Sequence, residues 1–229
     1  MKHIVIGDLH GRDSWKQINF SKYDGAVFLG DYVDSFKRSD QMIPNNLRAI
    51  IALKKLYPQK IILLLGNHDV QYLHYPKYHC PGFRLSMQPA LSALFQDNRH
   101  LFQIAYQRRN FLFTHAGITN RWFYNFRRSF AYSLLYRTGD TIADTLNRFE
   151  TQTENSTIYS YSRYRTGHDS DGGPLWADYL ETFHDSLNGY HQFVGHNPQD
   201  QPKQLCRKGK SITYLDVLHK QAYFHEIHC

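Results

Sequence analysis

Four times along this 229-residue chain a short apolar run ends in glycine, and a residue able to bind a cation follows. The four are Ile4–Val5–Ile6–Gly7–Asp8–Leu9–His10, Ala26–Val27–Phe28–Leu29–Gly30–Asp31, Ile61–Ile62–Leu63–Leu64–Leu65–Gly66–Asn67–His68 and Phe193–Val194–Gly195–His196–Asn197. Phe111–Leu112–Phe113–Thr114–His115–Ala116–Gly117 is a variant of the same pattern. Apolar runs of this kind, bounded by a turn residue, are strands buried on both faces. One Gly-Asp pair marks only a turn. Five such endings put polar side chains repeatedly at the carboxyl ends of buried strands, where open α/β sheets collect their ligands.

The intervening segments supply crossovers. Strands are expected at 3–8, 25–30 and 60–65, an amphipathic helix over Arg12–Ser21 with Trp15 and Ile18 inward, and a polar loop over Ser35–Asn46. Asn46–Tyr57 has the apolar stripe of a helix in Leu47, Ile50, Ile51, Leu53 and Leu56, and Pro58 ends it. Residues 70–99 read as irregular and then helical. Leu101–Tyr106 and Asn110–Thr114 read as a hairpin. Residues 118–165 are rich in Trp, Phe and Tyr and read as helical. Gln152–Ser170 reads as a loop and Pro174–His184 as a short helix. Strands are expected at 192–196, 211–217 and 221–227, the last two as a hairpin around His219–Lys220. The length fits a single domain, 1–229, with 118–190 as an insertion that caps the strand ends and shapes a substrate site.

A formal charge of +7 favours anionic partners. Its short basic clusters, such as Arg127–Arg128, are scattered, so nucleic acid is the less favoured partner. Arg207–Lys208–Gly209–Lys210 reads as a solvated turn. Three cysteines with no Cys-x-x-Cys spacing point to neither a disulfide framework nor a zinc knuckle. No leader segment precedes the first strand, and the longest apolar run is about half a membrane span. A cytoplasmic protein with no membrane partner is the expectation; the oligomeric state is not legible.

The ligand-type residues suggest a pair of divalent cations. Asp8 and His10, two apart in an extended segment, face one side. Asp31 can bridge two ions with its two oxygens, and Asn67, His115 and His196 can complete the second. Carboxylate, amide and imidazole without thiolate suit Mn, Fe or Zn at a catalytic site. Two such ions can clamp a phosphoryl group and hold the attacking hydroxide. His68 is placed to protonate the leaving oxygen, and Asp34 to orient the His68 ring and keep it charged. Asp69 reads as a cap or a supporting residue rather than a ligand.

The segments Gly7-Asp8-Leu9-His10-Gly11, Gly30-Asp31-Tyr32-Val33-Asp34, Gly66-Asn67-His68-Asp69, His115-Ala116-Gly117 and Gly195-His196-Asn197 resemble, in order and spacing, the motifs of the calcineurin-like metallophosphoesterases. The resemblance spans nearly the whole chain. It implies an α/β fold, a four-layer α/β/β/α sandwich with, here, a helical aromatic-rich insertion. It also implies Asp8, His10 and Asp31 on one ion, Asp31, Asn67, His115 and His196 on the other, His68 as acid and Asp34 behind it. Manganese is the first choice of metal, with Fe, Zn, Ni or Mg as alternatives. The single histidine at His196 and the segment Gly173-Pro174-Leu175-Trp176 resemble the branch of phosphoprotein phosphatases and symmetrical diadenosine tetraphosphate hydrolases. That branch carries a phosphate-gripping arginine directly after its second motif, where this chain has Ser35–Phe36. Arg12, Arg163 and Arg165 are candidates to replace it, Arg165 first. The expected activity is hydrolysis of phosphomonoesters on protein, small molecule or nucleotide. Hydrolysis of dinucleoside polyphosphates is the alternative, and a nucleic-acid phosphoesterase a more distant one.

Overall fold

The computed structural model describes residues 1–152 and 156–229. Its strands are β1 (Lys2–Ile6), β2 (Gly25–Phe28), β3 (Ile61–Leu64), β4 (Phe102–Gln103), β5 (Ala105–Arg108), β6 (Phe111–Thr114), β7 (His191–Val194), β8 (Lys203–Arg207), β9 (Lys210–Tyr214) and β10 (His225–His228). Its helices are α1 (Met42–Leu56), α2 (Asn67–Leu73), α3 (Gln88–Asp97), α4 (Asn120–Arg128), α5 (Phe130–Leu135), α6 (Ile142–Gln152) and α7 (Tyr179–Asp185). The chain divides into two compact units, Met1–Gln103 with Val217–Cys229, and Ile104–Asp216.

In the first unit the sheet order is β10-β1-β2-β3-β4, with β1 to β4 parallel and β10 antiparallel at the edge. Ile4, Val5, Ile6, Ala26, Val27, Phe28, Leu63 and Leu64 are all buried, which is why these strands lack polar alternation. Ile6 pairs with Phe28 and Phe28 with Leu63, so three strands end level. Helix α1 buries Ile43, Leu47, Ile50 and Ile51. It starts four residues before the expected Asn46, because Pro44 falls in its first turn, where an amide has no intrahelical acceptor anyway. The helix expected over Arg12–Ser21 is instead two 3-10 turns, Ser14–Gln17 and Phe20–Lys22. Trp15 is buried, its indole N–H donating to Asn46 Oδ1 at 2.9 Å, while Ile18 is only half-buried.

In the second unit the order is β5-β6-β7-β9-β8, with β6, β7 and β9 parallel and the two edge strands antiparallel. The expected strand Leu101–Tyr106 is split: Phe102–Gln103 pairs with β3, and Ala105–Arg108 forms the hairpin with β6. The expected hairpin of 211–217 with 221–227 does not form. β9 pairs with β7 and β8, and β10 pairs with β1. The hairpin that does form joins β8 to β9 through Lys208–Gly209, with Gly209 at φ +73°, so the basic cluster is a turn as expected.

Between β6 and β7 the chain is largely helical. Trp122 stacks on Phe126 at 4.9 Å, and Phe126 meets Phe149 at 4.8 Å, so these aromatics form a core of their own. The Asn147 side chain fastens α6 to β5, accepting from the Ile104 and Ala105 amides at 2.9 and 3.0 Å. The expected helix over Pro174–His184 begins only at Tyr179, where Asp178 caps it by accepting from Leu180 N–H at 2.9 Å. The expected loop Gln152–Ser170 holds 3-10 turns at Ser156–Tyr159 and Arg163–Arg165; its residues 153–155 lie outside the described residues.

Candidate metal centre

Because β1, β2 and β3 end level, the loops that follow them meet. Leu9 and His10 N–H donate to the Asp31 carbonyl at 3.0 and 2.7 Å, and Gly11 N–H to the Tyr32 carbonyl at 2.9 Å. His68 N–H donates to Asp31 Oδ1 at 3.0 Å. The backbone at this edge is unusual: His10, Asp31 and Asp34 take φ of 45°, 52° and 57°. Each such non-glycine residue carries about 1–3 kcal/mol of strain, tolerated where the surroundings over-determine it. The recurrent glycines have a steric reason. A Cβ on Gly30 would lie 2.4 Å from the Gly66 nitrogen, and one on Gly66 would lie 2.1 Å from Asp31 Oδ1. Two loops pass backbone to backbone there.

Asp69, fully buried, ties these loops together. Its Oδ2 accepts from the amides of Asp31 and Gly66 at 2.7 and 2.8 Å, and its Oδ1 from Tyr32 N–H at 2.9 Å. It is a cap and a clamp.

The donors in this unit suit a divalent cation. Asp8, Asp31 and Asn67 are buried. The His10 Nδ1 lies 3.0 and 2.9 Å from the Val33 and Asp34 carbonyl oxygens, so the hydrogen sits on Nδ1. Burial, opposed by the Asp31 charge, lowers the His10 pKa and favours the neutral ring. Its Nε2 lone pair then lies 3.7 Å from Asp31 Oδ2. Two electron-rich atoms that close disfavour each other without a cation. Ligand atoms about 2.1 Å from one shared ion sit at about this separation for bond angles near 120°.

Behind the donors stands the His68–Asp34 pair. His68 Nδ1 is 2.8 Å from Asp34 Oδ2, and the His68 ring meets the His10 ring edge-on with centroids 5.1 Å apart. Burial alone would lower the His68 pKa. The Asp31, Asp34 and Asp69 carboxylates and the hydrogen bond to Asp34 outweigh it and push the ring up to about 9. The Asp34 carboxylate also accepts from Tyr72 Oη at 2.5 Å and from the Gln71 side-chain amide. The Gln71 side-chain Oε1 in turn accepts from Cys80 N–H at 2.8 Å. Gln71 and Tyr72 were not among the sequence candidates. They lie three and four residues after His68, the spacing that puts side chains on one face of a helix, but the segment from residue 70 reads as irregular.

The second unit brings other candidates together. His115 follows β6 and His196 follows β7, and these strands are parallel neighbours. The two rings stand edge to face at 4.9 Å, and Gly195 N–H donates to the His115 carbonyl at 2.8 Å. His196 takes φ 62°. The Gly-Pro-Leu-Trp segment is fixed here by Ala116 N–H donating to the Pro174 carbonyl at 2.7 Å.

The candidate arginines separate. Arg165 is engaged within the second unit, its Nε 3.1 Å from Asp178 Oδ2 and its Nη2 donating to Asn197 Oδ1 beside His196. Arg163 is exposed. Arg12, whose Nη1 donates to the Leu9 carbonyl at 3.0 Å, lines a cavity of about 460 Å3 together with His10, Asp34 and His68. Arg84, absent from the sequence candidates, pairs with Asp40 and donates to the Ser35 and Arg38 carbonyls, holding the loop after Asp34.

A sequence profile of the family described as calcineurin-like phosphoesterase matches residues 1–214. A Schizosaccharomyces pombe protein named "Putative serine/threonine-protein phosphatase C22H10.04" is 40% identical over 70 residues, which are 28% of this chain. Those residues are 22% of that protein's length, so the chain spans only a small part of this curated relative. A crystal structure of a point mutant of a cold-active protein tyrosine phosphatase aligns with 98% of this chain and 74% of that one, at TM-score 0.61 and 16% identity. The cold-active protein-tyrosine phosphatase of a psychrophile, Shewanella sp., aligns over the same shares at TM-score 0.58 and 16% identity. At that identity the two structures speak to the fold alone.

Proposed function

This chain belongs to the calcineurin-like phosphoesterases, with their α/β metallophosphoesterase fold, and from that membership we propose that it is a phosphatase that uses two divalent metal ions to hydrolyse phosphomonoesters. The observation that carries the reading is the His68–Asp34 hydrogen bond, 2.8 Å long, set beside the donors Asp8, His10, Asp31 and Asn67 at the carboxyl edge of one sheet. In the family's motif order, Asp8, His10 and Asp31 would hold one ion, and Asp31, Asn67, His115 and His196 the other. Manganese fits this set of oxygen and nitrogen donors. When bound, such ions acidify water and offset charge on the phosphoryl oxygens.

The chain's own residues supply the rest. Asp34 accepts at His68 Nδ1, which leaves Nε2–H to donate. The charged ring can pass that proton to the departing ester oxygen, a step that matters most for esters of weakly acidic alcohols. Tyr72 and Gln71 hold Asp34 in place, so the ring keeps its orientation. Arg12, at the mouth beside His68, takes the role of the arginine missing at Ser35. The printed name of the Schizosaccharomyces pombe relative, a putative serine/threonine-protein phosphatase, favours a monoester over a dinucleoside polyphosphate. No described helix is long and apolar enough to cross a membrane.

The test is turnover of a generic aryl phosphate after chelation and after return of Mn2+. Activity should vanish with the metal and return with it, and Asp31→Asn should show none. Turnover that survives chelation, or persists in Asp31→Asn, overturns the reading.

A further inference from the structure

We propose that the leaving-group side of this site is built for a small phosphate ester carrying a second anionic group, such as a nucleoside or sugar bisphosphate. This deepens the phosphatase reading and rests on it.

The cavity lined by His10, Arg12, Asp34 and His68 extends over the loop that follows Asp34, with Ser35, Phe36 and Lys37 in its wall. It is also lined by His219 and Lys220. A second cavity, of about 420 Å3, shares Arg12, Ser35, Lys37 and His219 with the first and extends to Arg38. The two form one trough. Along it lie the cations Arg12, Lys37, Arg38 and Lys220, against the carboxylates Asp34 and Asp13. Asp34 is turned to His68, Gln71 and Tyr72, and Asp13 lies 3.7 Å from Lys16. Cationic side chains thus outnumber carboxylates along the trough. A phosphoryl group poised for transfer needs charge only where it sits; cations further out meet what remains attached to the ester oxygen.

The loop sequence explains the surface. Where an arginine would follow Asp34, Ser35 instead turns its hydroxyl to accept from the Lys37 and Arg38 amides, both at 3.2 Å. That turn, held from behind by Arg84, projects Phe36 outward, 82% exposed. A large apolar ring so exposed at the lip of a cationic trough suits a base or other flat group on the leaving side. The trough is concave and of small-molecule size, which favours a compact ester over an extended phosphopeptide.

The experiment compares kcat/KM for matched pairs: an aryl phosphate without and with a carboxylate on the ring, and a nucleoside 5′-monophosphate against the 3′,5′-bisphosphate. Each exposed cation is worth about two- to fivefold, so the doubly anionic member of each pair should be favoured by about tenfold. That ratio should fall towards one in Lys37→Ala/Lys220→Ala and at raised salt, and a lower kcat/KM for both nucleotides in Phe36→Ala, with their ratio unmoved, would assign the ring its stacking role. Equal kcat/KM within the pairs, a ratio unchanged by the double variant, or a stronger preference for acidic phosphopeptides than for any bisphosphate, overturns the proposal. Absence of turnover on every substrate with Mn2+ present would instead refute the phosphatase reading itself, so the two failures are distinct.

Discussion

Removing the Asp69 carboxylate isolates the architecture from the chemistry, because Asp69 is no ligand in the scheme above. Asp69→Ala leaves three buried amides, those of Asp31, Tyr32 and Gly66, without their acceptor. A buried N–H so stranded costs about 1–3 kcal/mol. Water entering the space left behind offsets part of that, so the expected loss is about 3–5 kcal/mol, a large share of the 5–15 kcal/mol typical of a folded protein. Asp69→Asn should lose less, about 2 kcal/mol, because its amide oxygen can keep the pair of donors on Oδ2 while its NH2 faces Tyr32 N–H. The assay is urea unfolding of metal-free protein, extrapolated to water, where a slope of about 3 kcal/mol/M turns the Ala variant's loss into a midpoint shift of about 1–1.7 M. Both variants should also lose phosphatase activity, since the Asp31 backbone at φ 52° depends on this clamp. If Asp69→Ala unfolds within about 1 kcal/mol of the parent, the convergence of the strand-end loops does not rest on these hydrogen bonds.

Other outcomes follow from the same contacts. His68→Asn should keep metal content near that of the parent and slow turnover most for esters with poor leaving groups; equal slowing for good and poor ones removes His68 as the acid. In metal-free protein the charged His68 ring, raised to about 9 from an ordinary 6.5, stabilises the fold fully below pH 6.5, and this is lost as pH rises through 9. The stability gap between parent and His68→Gln should therefore narrow from about pH 7 to about pH 9.5, and a constant gap refutes the pairing. Gly30→Ala should fail to fold or lose several kcal/mol, because its Cβ would meet the Gly66 nitrogen at 2.4 Å at φ +103°; a parent-like unfolding midpoint contradicts the close approach. Arg165→Ala is expected to weaken α7 through Asp178 and Asn197, raising the KM for phosphate esters only if Arg165 grips substrate; an unchanged KM leaves that role to Arg12.

Much of this was legible because buried parallel strands write themselves as apolar runs, and the residues just after them are the ones a site can use. β1, β2, β3, β6 and β7 are of this kind. β8 escaped because Lys203–Arg207 is an exposed edge strand with a single central leucine, so neither of its faces reads as core. The pairing of β10 with β1 joins the two ends of the chain, with Met1 bonded to Cys229, and no local pattern encodes a partner so far along the sequence. The short helix α2 hid behind its own function: Asn67, His68 and Asp69 look like a turn, and the prolines at 76 and 81 colour the whole segment irregular. With that helix missed, the Gln71 and Tyr72 contacts to Asp34 were missed too. Arg12 could be named from sequence, but Arg165 ranked ahead of it, since only the folded loop sets Arg12 at the cavity beside His68.

Everything proposed for this site requires that two cations share Asp31. Titration of metal-free protein with Mn2+ by calorimetry, with bound metal counted after desalting, should give two equivalents per chain for the parent, fewer than one for Asp31→Asn, and about one for His115→Ala. A parent that binds one equivalent or none, or an Asp31→Asn variant that binds two, contradicts it.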